Sequence, residues 1–238
     1  MTGRLQDRIA LVTGASRGIG AAVALRFAAE GAHVVLVART RGGLEDIDDR
    51  IRSVHGDDRA ATLLELDLRD LDQVDMIGPT IAERFGRLDI LVGNAALLGE
   101  MAPINHIDAA VWSDVVDVNL NANWRLIRTT DPLLRQSDAG RAIFVTSGAA
   151  RGKRPYWGAY AVTKAALEMM VNCWAAETEE TRLKINLLDP GATRTSMRAE
   201  AFPGEDPDTL KTPDDITGFF VDLAAPDCEP HGAVIPAY

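Results

Sequence analysis

Tyr160 and Lys164, four residues apart in "WGAYAVTKAALEMM" (157–170), are the first pair in this sequence that could do chemistry. Both residue types are scarce: Tyr156, Tyr160 and Tyr238 are the only tyrosines, and Lys153, Lys164, Lys184 and Lys211 the only lysines. Residues four apart share one face of a helix, so the phenol and the ammonium can point into one site. An unperturbed phenol titrates near pH ~10 and is a poor base at neutrality. A neighbouring ammonium stabilises phenolate and lowers that pKa. A phenol tuned in this way gives a proton to a developing alkoxide or takes one from an alcohol.

Two further residues fit such a site. Ser147, at the end of the apolar run 142–148, can hold a substrate oxygen and orient the phenol. Asn119, inside the helical pattern 108–136, is unfavourable in a helix interior without polar partners. A role holding a water that relays protons to Lys164 would supply them. Taken singly, a serine after a strand is usually a turn former and a helical asparagine is usually solvated. The order of these residues behind a glycine-rich loop is what gives them weight.

That loop is "TGASRGIG" (13–20), between the first apolar run and the first helical pattern. Gly14 permits a tight turn, Gly18 lets the backbone approach a pyrophosphate, and Gly20 lets the helix pack closely on the strand. Ser16, Arg17 and Ile19 lie in the same turn, where N–H groups and the positive helix end attract phosphate. The spacing is G-x-x-x-G-x-G, not the commoner G-x-G-x-x-G. The second apolar run, 33–39, ends in Arg39, preceded by Ala38 rather than a carboxylate. An acidic residue near here holds the 2′-hydroxyl of NAD, whereas a 2′-phosphate wants a cation. Arg17 and Arg39, with planar forks of donors, therefore favour NADP(H), with NAD(H) left open. Asp67, at the end of the run 62–68, could accept from an adenine amino group or simply form a turn.

The elements that must position these residues follow from periodicity. Apolar, β-branched runs at 8–14, 33–39, 62–68, 88–95, 142–148, 184–191 and 233–238 read as strands, several of them continuous as in strands covered on both faces. Helical patterns lie at about 18–30, 42–54, 71–85, 108–136, 155–180 and 213–225. Alternation of strand and helix predicts an α/β fold with a parallel sheet and right-handed crossovers. The segment 192–212, rich in Pro and charge, is long for a connection and reads as a lid or binding loop. Nearly half of the 238 residues are apolar, enough for a large core. The net charge of −10 argues against a nucleic-acid surface. Cys173 and Cys228 make neither a metal motif nor a disulfide framework, and no metal site is expected. No apolar run reaches the length of a signal peptide or a membrane span, so a soluble, cytoplasmic protein is expected.

In order and spacing, Gly14, Gly18, Gly20, Asn119, Ser147, Tyr160 and Lys164 resemble the short-chain dehydrogenase/reductase family, classical type. The resemblance covers 13–238. Within the family, "LLGEMAPI", "WGAYAVTKAA" and "PGATRTSMRAEAFPGEDPDTLKTPDDI" resemble a bacterial branch of oxidoreductases known as YciK-like. The resemblance implies a Rossmann-like, doubly wound parallel sheet of about seven strands in a single domain. It implies a catalytic tetrad of Asn119, Ser147, Tyr160 and Lys164, with Lys164 also on the nicotinamide ribose hydroxyls. It implies Asp67 and Leu68 at the adenine, Pro190 and Gly191 in a turn after the sheet, and Thr193 and Thr195 near the nicotinamide amide and the phosphates. Oxidised nicotinamide beside Tyr160 would lower the phenol's pKa further. The family's "NNAG" after strand four is here "GNAA". Asn94 is retained and counted with Ala95 and Ala96 as cofactor-binding, Ala96 placing a methyl where the ribose passes. The helices at 108–136 and 155–180, carrying Trp112, Trp124 and Trp174, pair across a subunit interface in the family, implying a homodimer or homotetramer.

The function expected is an NADP(H)-dependent oxidoreductase that interconverts a carbonyl and a secondary alcohol by hydride transfer, with Tyr160 as general acid/base. Ala149, Tyr156, Trp157, Leu97, Leu98 and Met197 are candidates for a partly apolar substrate wall. Arg151, Lys153 and Arg154 form a basic cluster that either attracts an acidic substrate or is a solvated loop. The alternative is a catalytically silent, cofactor-binding regulator on the same fold, which has no need of the tyrosine–lysine pair. A nucleoside-linked methyltransferase has no use for Tyr160, Lys164 or Arg39.

Overall fold

A computed structural model describes residues 3–56 and 60–238. Seven strands form one parallel sheet: β1 (Ile9–Thr13), β2 (His33–Ala38), β3 (Thr62–Glu65), β4 (Ile90–Gly93), β5 (Arg141–Val145), β6 (Lys184–Asp189) and β7 (Val234–Pro236). Their spatial order is β3-β2-β1-β4-β5-β6-β7. The order reverses between β1 and β4, so a crevice opens beyond the carboxyl ends of those strands. Leu11 lies against Val35 on one side and Leu91 on the other.

The strands are apolar at consecutive positions because both faces are covered. Successive side chains point to opposite faces. Ala10, Val12, Val34 and Leu36 pack with α1 (Gly18–Ala29), α2 (Arg41–His55) and α9 (Thr217–Ala224) through Phe27, Leu44, Ile47, Ile51 and Phe220. Leu11, Val35, Val37 and Leu91 pack on the opposite side with α3 (Leu71–Asp75), α4 (Ile77–Phe85), α6 (Ala122–Leu134) and α7 (Gly158–Glu177) through Val74, Ile81, Leu126, Leu167, Val171 and Trp174.

The helix expected over 108–136 is interrupted. α5 (Ala109–Val116) passes through one wide π turn, Asp117–Asn121, into α6, and Asn119 lies in that turn. Such turns insert one residue into the helical ladder, and they recur at functional sites. The helix expected over 71–85 is divided at Met76, which ends α3 and leads into α4. The segment 192–212 is ordered by a short helix, α8 (Ser196–Ala201), and by a bridge between Thr193 and Lys211. Thr195 caps α8 by accepting the Arg198 N–H at 3.2 Å. Among the described residues, no helix is long and apolar enough to cross a membrane.

Candidate active site

A cleft of about 540 Å³ crosses the carboxyl ends of the strands. Gly14, Ser16, Arg17, Gly18, Ile19, Arg39, Asp67 and Leu68 line its part beyond β1, β2 and β3. Asn94, Ala95, Ala96, Ser147, Tyr160, Lys164, Pro190, Gly191, Thr193 and Thr195 line the part beyond β4, β5 and β6. The expected cofactor and tetrad positions thus meet in one cavity, with Asn119 alone behind its wall.

The glycine turn has the form a phosphate needs. α1 begins after Arg17 with no side-chain cap and no acidic residue in its first turn, leaving its first N–H groups without a side-chain acceptor. A Cβ on Gly20 would lie 2.3 Å from the Gly14 carbonyl oxygen, so only glycine lets α1 approach the turn this closely. Thr13 and Asn94 tie β1 to β4 at the same place. The Thr13 Oγ1 accepts from the N–H of Asn94 at 3.0 Å and of Ala95 at 3.1 Å, while Asn94 Nδ2 donates to the Thr13 carbonyl at 2.9 Å. The departure at Gly93 has a packing reason: a Cβ there would lie 2.4 Å from the Phe144 ring.

The arginines of the cleft differ in their commitments. Arg69, which the sequence reading passed over, lines the cleft and pairs with Asp67 at 2.6 Å and Asp114 at 2.9 Å. The hydrogen bonds from Arg69 hold the Asp67 carboxyl below its ordinary range. The carboxylate expected at an adenine amino group is therefore already an acceptor for a guanidinium. Arg17 and Arg39 make no ion pair with any described residue. Two cationic forks of the cleft thus remain for an anion.

Tyr160 and Lys164 project from α7 and are both buried. The ammonium donates to the Val145 carbonyl at 2.7 Å and lies 5.7 Å from the Tyr160 ring centroid. Burial pushes Lys164 down to about 8, opposed by Glu168. Burial also pushes Tyr160 up to about 12; a hydrogen bond with Ser147 pulls it back, and Asp189 adds to the rise. The direction is opposite to the one expected from an ammonium four residues away, because desolvation of the phenolate outweighs the other influences. Ser147 caps the short turn Gly148–Ala150 by accepting the Ala149 N–H at 3.2 Å.

Asn119 finds its partners in the protein. Its Oδ1 accepts the Leu97 N–H at 2.8 Å, and its Nδ2 donates to the Leu97 carbonyl at 2.9 Å and to Thr163 Oγ1 at 3.1 Å. Both amide hydrogens are donated and the oxygen accepts one, which supplies the polar partners that a buried asparagine in a helical segment needs. Its main-chain carbonyl accepts from Asn123 Nδ2 at 2.9 Å.

Of the wall candidates, Leu97, Leu98, Trp157 and Met197 line the cleft, while Tyr156 is exposed. Met197 and Ala201 of α8 pack on Leu98, Ala149 and Tyr160. Trp157 meets the Tyr160 ring edge-on at 5.9 Å and the Phe202 ring at 5.7 Å. The basic cluster divides: Arg154 lies over the Trp157 ring at 5.7 Å, and Arg151 is paired with Asp189 and Glu168.

A protein-family model described as short chain dehydrogenase matches residues 8–206. The oxidoreductase YciK of Escherichia coli (strain K12) is 41% identical over 223 residues, covering 94% of this chain and 88% of that protein. An NAD-dependent oxidoreductase of Mycobacterium tuberculosis (strain CDC 1551 / Oshkosh) is 34% identical over 206 residues, covering 82% of this chain and 74% of the relative. The crystal structure of a short chain dehydrogenase from Escherichia coli CFT073, complexed with NADPH, superposes with a TM-score of 0.94 at 40% identity, covering 100% of this chain and 99% of the other.

Proposed function

The chain belongs to the short chain dehydrogenase family of oxidoreductases, and on that footing we propose that it interconverts a carbonyl and a secondary alcohol with NADP(H). The observation that carries this reading is the single cleft joining Ser147, Tyr160 and Lys164 to the glycine turn and to Arg17 and Arg39. NADP(H), when bound, supplies or accepts the hydride. The glycine turn and the start of α1 hold its pyrophosphate, and Arg17 and Arg39 hold its 2′-phosphate. The NADPH complex of the 40% identical structure supports this preference, while the NAD-dependent relative keeps NAD(H) in the comparison.

Ser147 holds the substrate oxygen beside the phenol. A phenol held at about 12 is protonated at neutral pH, the state that gives a proton to a developing alkoxide. The Lys164 ammonium stabilises the phenolate left behind and holds ribose hydroxyls. Trp157, Leu98 and Met197, with α8 and the rest of 192–212 as a lid, keep water from the reacting carbon. The exposed Trp124, Val162 and Met169 on α6 and α7 fit the family's pairing of these helices in a homodimer or homotetramer.

Fluorescence quenching on titration with NADPH and with NADH tests the cofactor, since Trp157 lines the cleft. A panel of carbonyl compounds then tests the reaction. Tyr160→Phe should bind NADPH as the wild type does and lose turnover. Binding of neither dinucleotide, or full turnover by Tyr160→Phe, would sink the proposal.

A further inference from the structure

Behind the cleft wall lies a charged cluster that the proposed reaction leaves unused. Asp189, the last residue of β6, is 2% exposed. Glu168 follows Lys164 by one turn on α7. Arg151, half-exposed in the turn after Ser147, reaches both carboxylates: Nη2 bonds Asp189 Oδ2, and Nη1 lies 3.4 Å from Glu168 Oε1. The same Glu168 oxygen accepts from Thr146 Oγ1 at 2.6 Å, and Asp189 Oδ1 accepts the Gly191 N–H at 3.2 Å. Each anchor therefore adjoins a site residue: Thr146 beside Ser147, Gly191 in the turn that lines the cleft, and Glu168 on the helix that carries Tyr160 and Lys164.

We propose that Arg151 is a positioning residue that clamps Asp189 and Glu168, fixes the Ser147 turn against α7 and β6, and screens the Asp189 carboxylate from the Tyr160 phenol. The proposal rests on the reading of Tyr160 as the proton-transferring group.

The physical argument is the like-charge rule. A carboxylate near a phenol disfavours phenolate, and a cation on that carboxylate cancels the effect. Asp189 already contributes to the rise of Tyr160, after burial and against Ser147. Removing Arg151 would leave two poorly solvated carboxylates without their cation, the arrangement in which a broken pair is most disruptive. The other charged groups facing the phenol do not replace it. Lys164 feels the Glu168 charge but is bonded to the Val145 carbonyl and makes no ion pair with either carboxylate, Arg154 lies over Trp157, and Arg198 on α8 is committed to Glu205. No other cation pairs with Asp189 or Glu168 among the described residues.

The test is nuclear magnetic resonance of protein carrying carbon-13 at the tyrosine ring Cζ, titrated with and without NADP⁺. Tyr156, Tyr160 and Tyr238 give the only signals, and Tyr160→Phe assigns the one in question. In the NADP⁺ complex, Arg151→Met should raise the Tyr160 midpoint by about one pH unit, and Asp189→Asn should lower it by a similar amount. The double variant should return towards the wild type, and Arg151→Lys should restore most of the shift. Asp189→Asn is nearly isosteric and keeps an acceptor for Gly191, and Arg151→Gln replaces Arg151→Met if that variant does not fold. Midpoints unmoved in both single variants overturn the clamp, even in an enzyme that turns over carbonyls. Shifted midpoints in a protein that turns over none leave the clamp standing and overturn the oxidoreductase reading.

Discussion

Asn119 grips the main chain of Leu97 at both ends of one amide, accepting from its N–H at 2.8 Å and donating to its carbonyl at 2.9 Å. The contact ties the wide turn between α5 and α6 to the loop after β4, whose Ala95, Ala96, Leu97 and Leu98 line the cleft. The asparagine thus shapes the cleft wall through its side chain, without lining it.

The first prediction follows from that grip. Asn119→Ala leaves the Leu97 N–H and carbonyl and the Thr163 hydroxyl without this partner. An orphaned polar group costs about 1–3 kcal/mol when buried, and Leu97 is only partly so, which sets a loss of about 2–4 kcal/mol in all. Urea denaturation should show it. Amide exchange at Leu97 should accelerate more than at the neighbouring β4 amides; unchanged protection there would refute the role assigned to the side chain.

A second prediction concerns cofactor choice. Arg39 lines the cleft without an ion-pair partner among the described residues, and Asp67 beside it is engaged by Arg69. Arg39→Asp removes a charge-assisted donor and adds a repelling carboxylate. A hydrogen bond to a charged group contributes about 1.5–3 kcal/mol, so NADPH affinity should fall roughly ten- to hundred-fold. NADH affinity should hold or improve, because a carboxylate here accepts from a ribose 2′-hydroxyl. Unchanged discrimination between the two in fluorescence titrations would remove Arg39 from the site.

The sheet and the cleft were legible in the sequence because doubly covered strands leave unbroken apolar runs such as "VVLVA", and because the glycine turn must follow β1. What escaped depended on partners distant in sequence. Arg151 reads as one of three basic loop residues until Asp189 and Glu168 are folded against it. The wide turn at Asn119 has no composition mark, since it changes spacing and not residue type. The Arg69–Asp67 pair could have been found, as an arginine two residues after a strand-end aspartate is a local signal. The direction of the Tyr160 shift is hidden for a different reason: spacing announces an ammonium nearby, whereas the depth of burial that outweighs it is set by Leu98, Ala149 and the packing of α8.

The last prediction uses the burial of Lys164. Desolvation pushes its ammonium down from the ordinary 10.5 to about 8, with Glu168 opposing. Between those values the unfolded chain holds a proton on this lysine that the folded chain has released. Stability rises with pH wherever the unfolded state binds more protons. The contribution is therefore fully present above 10.5 and is lost as pH falls through about 8. At 1.36 kcal/mol per pH unit, the wild type should gain up to roughly 3 kcal/mol relative to Lys164→Met across that window. The orphaned Val145 carbonyl in the variant adds a constant offset, which leaves the slope untouched. Tyr160 acts with the opposite sign at higher pH. Its raised midpoint means that the folded chain keeps a proton that the unfolded chain loses from about 10 to about 12, so stability falls there relative to Tyr160→Phe. Urea unfolding at closely spaced pH values separates the two slopes. A wild type and Lys164→Met that stay parallel from pH 8 to 10.5 would show that the buried lysine keeps its ordinary affinity for the proton, with the Val145 carbonyl and Glu168 together offsetting its burial.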